Sequence, residues 1–184
     1  MAQRLCVVAH GPTVRMREVI FGDTGHLSDP EAVSPIAGRV TSWRHGPEVA
    51  CAETAGRLGG PGEVLAGLAS CDFGSWTGRS LEEVGADDPD GIRHWLSDPR
   101  AAPHGGESLA ELIARVGSAV TVTPWPDGQS VVVVAPLVAR AMIAYALGAP
   151  AEVIFRIDVP PLGRVALSRR RSSWRVKFGA SGEP

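Results

Sequence analysis

The sequence predicts an α/β domain with a largely parallel sheet. Residues 5–8 and 130–135 are runs of bulky apolar side chains, which are typical of strands buried on both faces. Segments with helical spacing lie between and after these runs, and strands that alternate with helices favour a parallel sheet. Because the chain has 184 residues and neither an internal repeat nor a linker, we interpret residues 1–184 as a single domain.

The first part of the chain is predicted to contain two strands and two helices. Residues 5–8 form a strand, and residues 21–36 form a long loop because Gly, Pro, Asp and Ser are dense there. Helical character is predicted for residues 38–43 and again for 50–58, where the sequence GGPG ends the helix. A short strand is predicted near residues 63–68.

The middle of the chain is predicted to be irregular and then helical. Residues 85–106 are polar and rich in proline, with one turn of helix expected at 92–96. Apolar residues recur at helical spacing from 109 to 120. Glu107 lies just before this segment, where a carboxylate could cap the N-terminus of the helix.

The last third of the chain is predicted to contain three strands and one helix. Residues 130–135 form a second buried strand, followed by a helix that stops at Gly148. Two further strands are expected at residues 163–167 and 174–178, around the polar turn RRRSS. The loops that follow buried parallel strands lie at the carboxyl edge of the sheet, where ligands of α/β proteins bind.

Composition excludes several classes of protein. A hydrophobic content of 44% and a charged content of 21% are globular values, and a net charge of −2 gives no reason to expect nucleic acid as a partner. The histidines and cysteines lack metal-site spacing, so we expect no metal, no cofactor and no disulfide. No signal peptide or membrane-spanning run is recognisable, so a cytoplasmic protein without a membrane partner is expected. The cysteines are Cys6, Cys51 and Cys71.

Six segments resemble, in the same order, motifs of the histidine phosphatase superfamily, the phosphoglycerate mutase-like group. They are LCVVAHGPT, GPEVACAETA, SCDFGSWTGRSLEEV, GGESLAELIARV, VVVVAPLVARAMIAYALGAP and FRIDVPPLGRVAL. The resemblance implies a three-layer α/β/α sandwich with a mostly parallel central sheet. It also implies phosphoryl transfer through a phosphohistidine, with two arginines and a second histidine on the phosphoryl oxygens and a glutamic acid as proton donor.

Only part of the implied catalytic set is present. His10 falls on the nucleophilic histidine and is followed by Gly11 and Thr13, as in the motif. The arginine expected before the nucleophile is Ala9, and the arginine expected at the helix start is Ala50.

The remaining two positions are also substituted. The proton donor is replaced by Ser70, and the second histidine by Ala135 or, with the alignment shifted by one residue, by Pro136. Removing one preorganised contact to a transition state typically costs about 10²–10³-fold in rate. We therefore expect a degenerate member of the family, without ordinary phosphatase turnover.

Some charged residues could substitute for the missing groups. Arg15 lies five residues beyond His10 and would border the pocket, although a surface ion pair explains it as well. Arg44 and Glu107 are further candidates, as a cation and as a relocated acid. Arg140 matches an arginine of the family and is interpreted as structural.

Three functions are compatible with the retained and replaced catalytic residues. The favoured one is a repurposed site in which His10 acts as general acid or base on a small organic substrate, by lyase, dehydratase, cyclase or isomerase chemistry. The second is a non-catalytic pseudophosphatase that acts as a binding or regulatory module. The third is a divergent phosphatase that uses phospho-His10. A small-molecule ligand is expected, while a homodimer and a protein partner are left open.

Overall fold

Six strands form the central sheet of the computed structural model, which describes residues 3–22, 25–170 and 173–177. The strands are β1 (Gln3–Ala9), β2 (Ser42–His45), β3 (Glu63–Val64), β4 (Gly128–Val134), β5 (Arg164–Arg170) and β6 (Ser173–Lys177). Their order is β3-β2-β4-β1-β5-β6. The first four strands are mutually parallel, and β5 and β6 add antiparallel pairs at one edge.

Five α-helices pack on the two faces of this sheet. They are α1 (Val49–Leu58), α2 (Leu81–Asp87), α3 (Pro89–Ser97), α4 (Leu109–Val122) and α5 (Pro136–Leu147). Helices α4 and α5 share a core with Val7 of β1 and Val132 of β4, whereas α1 shares a core with the neighbouring Val8 and Val133. Because successive residues of a strand face opposite sides, the sheet is covered on both faces. The predicted three-layer α/β/α architecture is confirmed. None of the helices in the described ranges is long and apolar enough to cross a membrane.

Strands β1 and β4 place two loops side by side at one edge of the sheet. The two strands pair in parallel from Gln3 beside Gly128 to Ala9 beside Val134. The next backbone N–H, that of His10, donates to the carbonyl oxygen of Val134 at 2.9 Å. His10 and Ala135 therefore leave the sheet next to each other, at its carboxyl edge.

The helix predicted for residues 38–43 is wrong, because strand β2 occupies the end of that segment. Strand β2 pairs with both β3 and β4, so sheet pairing overrides the local helical pattern. The Trp43 ring lies against the backbone of Gly59 and Gly60, where a Cβ on Gly60 would approach the ring to 2.5 Å. The glycines that end α1 thus also make room for Trp43.

The irregular structure predicted for residues 85–106 is also corrected, since α2 and α3 occupy its first half. Ser80 and Glu83 form a capping box at the start of α2. Asp88 accepts a hydrogen bond from the Gly91 N–H, and Pro89 occupies the first turn of α3. These capping signals are present in the sequence. Trp95, a residue of α3, lines the cavity described below.

The other strands and helices lie close to their predictions. The helices at 50–58 and 109–120, the buried strand at 130–135 and the helix ending at Gly148 are confirmed by α1, α4, β4 and α5. The last two strands are confirmed as β5 and β6. Phe178, which ended the last predicted strand, and residues 171–172 of the predicted turn lie outside the described residues.

Candidate active site

A cavity of about 310 Å³ lies at the carboxyl edge of the sheet, next to the ends of β1 and β4. Four residues predicted to form the pocket line it: His10, Ser70, Ala135 and Pro136. The loop after β1, the segment between β3 and α2, and helix α3 add residues that sequence reasoning did not assign to a site. These are Met16, Val19, Ile20, Phe21, Gly22, Phe73 and Trp95.

His10 is held in one orientation at this cavity. Its side chain is buried, and Nδ1 lies 2.7 Å from the carbonyl oxygen of Gly11. A carbonyl oxygen only accepts, so Nδ1 carries the proton and Nε2 of the neutral ring keeps its lone pair. The Gly11 N–H donates to Thr54 Oγ1 at 3.0 Å, which fixes the loop that supplies this carbonyl.

His45 repeats the same geometry at the end of β2. It is buried, and its Nδ1 lies 2.7 Å from the carbonyl oxygen of Gly46. His45 is not among the residues that line the cavity. The two histidines thus share a local backbone motif but differ in their access to a ligand.

The N-terminus of helix α5 opens onto the cavity. Ala135 is the N-cap residue and has no side chain that could accept a hydrogen bond from the helix. Pro136 has no N–H, and the first bond of the helix runs from the Ala139 N–H to the Ala135 carbonyl. The N–H groups of Leu137 and Val138 precede that bond, so the positive end of the helix dipole lies at the cavity.

Arg140 is the cation that lines the cavity, one turn further along α5. Its Nη2 donates to Asp158 Oδ1 at 2.9 Å, while its Nε is buried without a hydrogen-bond partner. A buried unpaired donor on a guanidinium is costly. Arg140 was interpreted as structural from the sequence, and the structure places it at the site.

Aromatic side chains form one wall of the cavity. The rings of Phe21 and Phe73 lie 5.0 Å apart, and Trp95 packs edge-on against both at 5.7 and 6.0 Å. Val19 lies beside them with φ +50°, a left-handed conformation that is unfavourable for a β-branched residue. This strained residue belongs to the loop after β1, which also lines the cavity.

The positions of the two missing arginines are filled by the core. Ala9 is fully buried with the α4 and α5 side of the sheet, and Ala50 is buried with the α1 side. Gly11 and Thr13 are buried too, and Thr13 pairs with Leu27. These four predicted pocket residues surround the His10 loop but do not line the cavity.

Arg15 and Arg44 do not take the place of the missing arginines. Arg15 is half-exposed, and its Nε donates to Glu18 Oε2 at 2.9 Å. Arg44 forms an ion pair with Glu63 on β3. Neither lines the cavity, because each guanidinium is held by its own carboxylate elsewhere.

Glu107 lies outside the cavity and does not cap α4. Its two carboxylate oxygens each accept a hydrogen bond from Arg115 at 2.7 Å. Helix α4 is capped by Ser108, whose hydroxyl accepts from the Glu111 N–H in a capping box. The ion pair with Arg115 therefore accounts for Glu107.

Cys71 lines the cavity beside Ser70. Burial, the main cause, and the nearby Glu107 carboxylate raise the pKa of the Cys71 thiol to about 12. The thiol is therefore protonated at neutral pH and is a poor nucleophile. The Ser70 N–H donates to the buried Glu48 carboxylate at 2.5 Å, a contact that no sequence pattern indicated.

Metal binding has no support in the part of the chain that the structure describes. No group of three or more histidine, cysteine or carboxylate side chains there could hold a metal ion. His10, Arg140 and the N-terminus of α5 are the polar features that meet at the cavity.

Residues 48–180 match the histidine phosphatase superfamily, branch 1. The chain belongs to this superfamily. A curated relative, "Bifunctional protein Rv2228c" of Mycobacterium tuberculosis, is 32% identical over 95 residues, which cover 50% of this chain and 26% of that protein. The match thus spans about a quarter of the relative's length.

Solved structures of the superfamily share the fold over nearly the whole chain. The mycobacterial glucosyl-3-phosphoglycerate phosphatase Rv2419c has a TM-score of 0.79 at 22% identity, covering 96% of this chain and 97% of that one. A phosphoserine phosphatase variant from Entamoeba histolytica, in complex with phosphoserine, has a TM-score of 0.79 at 16% identity and covers 95% of both chains.

The prediction of non-phosphoryl chemistry is wrong. The neighbours that share the fold are phosphatases, and the mycobacterial enzyme is also known in complexes with VO3 and with inorganic phosphate. These findings overturn the repurposed lyase, dehydratase, cyclase or isomerase site that the substituted residues suggested. They also give no support to a non-catalytic binding or regulatory module.

Proposed function

We propose that this member of the histidine phosphatase superfamily is a phosphatase that forms a phosphohistidine at His10. The observation that carries the proposal is the 2.7 Å contact between His10 Nδ1 and the Gly11 carbonyl. In the neutral imidazole this contact places the proton on Nδ1 and leaves the Nε2 lone pair for the substrate. The phosphatase names of the structural neighbours add support.

The proposed reaction has two displacements at phosphorus. In the first, His10 Nε2 forms a bond to phosphorus while the bond from phosphorus to the ester oxygen breaks, and the leaving oxygen takes the electron pair. In the second, water attacks phosphorus and the nitrogen–phosphorus bond breaks, which returns the neutral imidazole and releases dihydrogen phosphate.

Few groups in this site could stabilise the negative charge of the phosphoryl group. The N–H groups of Leu137 and Val138 and the Arg140 guanidinium lie where they could donate hydrogen bonds to phosphoryl oxygens. Because Ala9, Ala50 and Ala135 replace the cationic set that the family resemblance implies, we propose a degenerate and slow phosphatase. Each absent contact lowers the rate by roughly 10²–10³-fold.

A phosphoenzyme trap tests the proposal. The protein is mixed with 4-nitrophenyl phosphate, quenched within one turnover and analysed by peptide mass spectrometry at alkaline pH. We expect the phosphoryl group on the peptide that carries His10. His10→Asn keeps an amide donor for the Gly11 carbonyl and should lose the label and at least about 10³-fold in kcat.

His45→Asn is the matched control, because His45 has the same contact to the following carbonyl but lies away from the cavity. We expect it to retain the label and the activity of the unmodified protein. Label on another residue, or equal activity in both variants, would contradict the proposal.

We also propose that the protein acts in the cytoplasm on a small-molecule ester. Its three cysteines are free and buried, which suits a reducing compartment. The cavity volume of about 310 Å³ suits a small ligand rather than a macromolecule.

A further inference from the structure

We infer that the substrates of this site are phosphate monoesters of phenols, an inference that rests on the phosphatase activity proposed above. Two independent features of the cavity lead to it. One is the apolar, aromatic wall that would contact the organic part of the ester. The other is the kind of proton donor that the lining residues offer to the leaving oxygen.

The wall of the cavity fits one aromatic ring. The aromatic residues Phe21, Phe73 and Trp95 line the cavity, and the apolar residues Val19 and Ile20 of the loop after β1 line it beside them. Aromatic rings favour offset and edge-to-face contacts with such neighbours. A volume of about 310 Å³ lies at the small end of ligand cavities, so it suits a phosphoryl group with one ring rather than a long chain.

The charges of the site disfavour a polar organic part. Among the described residues that line the cavity, Arg140 is the one with a permanent charge, and Asp158 already contacts it. A carboxylate or ammonium group on the substrate would lose its hydration on entering the cavity and would gain no ion pair there. The desolvation of such a group costs much free energy. The cavity therefore selects an uncharged, apolar group on the ester oxygen.

The lining also limits which leaving groups can depart. Near Ser70, where the family resemblance implies a glutamic acid, the cavity is lined by Ser70 and Cys71, and the Cys71 thiol donates to the Glu107 carbonyl oxygen at 3.3 Å. The pKa of that thiol is raised to about 12, chiefly by burial. Phenols ionise near a pKa of about 10, so a phenolate departs without a proton, whereas an alkoxide needs one.

The chemical step balances with the phenolate as the leaving anion. His10 Nε2 forms its bond to phosphorus, the bond from phosphorus to the aryl oxygen breaks, and the phenolate takes the electron pair. Solvent protonates the released phenolate according to its pKa. Water then releases dihydrogen phosphate from the phosphohistidine.

The test is a series of esters that differ in the leaving group. The series comprises phenyl phosphates with para substituents of graded electron withdrawal, hexyl phosphate as an apolar alkyl ester and phosphoserine as a charged ester. We expect kcat/KM to rise steeply as the pKa of the leaving phenol falls. Phenyl phosphate should exceed hexyl phosphate and phosphoserine by at least about 100-fold.

Ser70→Glu would add a carboxyl group at the cavity, close to the buried Glu48 carboxylate, which should keep the new group protonated. We expect this variant to hydrolyse hexyl phosphate at least about tenfold faster and to show a flatter dependence on the leaving group. Ser118→Glu, on the exposed surface of α4, is the matched control and should change neither.

The outcomes separate this inference from the function on which it rests. If His10 is phosphorylated but hexyl phosphate or phosphoserine reacts as fast as phenyl phosphate, the inference fails and the phosphatase stands. If no ester reacts and His10 carries no label, both the phosphatase proposal and this inference fail.

A binding measurement covers the case in which Ser70→Glu does not fold. Phenylphosphonate should bind the unmodified protein at least about tenfold more tightly than methylphosphonate in calorimetry, because its ring is buried against the aromatic wall. Equal affinities would overturn the inference.

Discussion

His104 is a buried histidine within the aromatic cluster. Its Nδ1 accepts a hydrogen bond from the Gly106 N–H at 3.1 Å, and its Nε2 is buried without a partner. The ring packs edge-on against Phe73 and Trp76 at 5.6 and 5.0 Å. Burial lowers the pKa of His104, although the nearby Asp72 acts in the opposite direction. The folded protein thus holds the neutral ring.

This burial makes the stability of the fold depend on pH. Below the unfolded pKa of about 6.5, the unfolded chain binds a proton at His104 that the folded chain binds only at lower pH. The free energy of unfolding should therefore fall as the pH decreases from 7.5 to 5.5, as measured by urea denaturation.

Two substitutions test the assignment to His104. His104→Asn keeps an acceptor for the Gly106 N–H and should flatten the change in stability between the two pH values. His94→Asn, at an exposed histidine of α3, should keep the change. An unaltered pH dependence in His104→Asn would assign the effect to another group.

At the scale of residues, sequence reasoning located His10 and three of its neighbours at the cavity, Ser70, Ala135 and Pro136, but not the residues of the aromatic wall. The motif around His10 consists of adjacent residues, and the His10 ring is oriented by the carbonyl oxygen of the next residue, Gly11. Arg140 and Trp95 reach the cavity only because α5 and α3 pack there. Arg15 is close to His10 in sequence yet pairs with Glu18, since proximity along the chain does not set the direction of a side chain.

At the scale of elements, helix α5 lacks a side-chain N-cap, and this bears on both stability and function. Ala135 has φ −63° and ψ 148°, the extended conformation that N-cap residues adopt. Ala135→Ser should therefore stabilise the fold by about 1 kcal/mol in urea denaturation, through a hydrogen bond to the N–H groups that begin α5.

The same hydroxyl would occupy the groups proposed to bind the phosphoryl oxygens. Ala135→Ser should weaken the binding of inorganic phosphate a few-fold, and Ala135→Asp should weaken it further because its carboxylate repels the anion. Calorimetry with phosphate measures both. Tighter phosphate binding in Ala135→Asp would contradict the proposed role of this helix end.

Prediction of the elements succeeded where a pattern is set by the segment itself. The strands β1 and β4 each end in apolar residues that are buried on both faces of the sheet, and this leaves a continuous apolar run in the sequence. The first two residues of β2 were predicted as the end of a helix, since only pairing with β3 and β4 makes this segment a strand. Helix α2 was missed, and α3 was predicted only as one turn at residues 92–96, because proline and polar residues were interpreted as a loop, although they also cap helices.

At the scale of the whole molecule, we propose that residues 1–184 fold as one cooperative domain. The two cores lie on opposite faces of a single sheet, and neighbouring residues of β1 and β4 alternate between them. Since one strand cannot unfold on one face alone, loss of either core removes the support of the other.

Two adjacent substitutions on β4 test this cooperativity. Val132 is fully buried in the core with α4 and α5, and Val133 is fully buried in the core with α1. Val132→Ala and Val133→Ala should each lower the free energy of unfolding by about 2 kcal/mol. In each variant, the urea unfolding transitions followed by tryptophan fluorescence and by far-ultraviolet circular dichroism should shift to the same new midpoint. Fluorescence and circular dichroism transitions that separate in either variant would mean that the two faces of the sheet unfold independently.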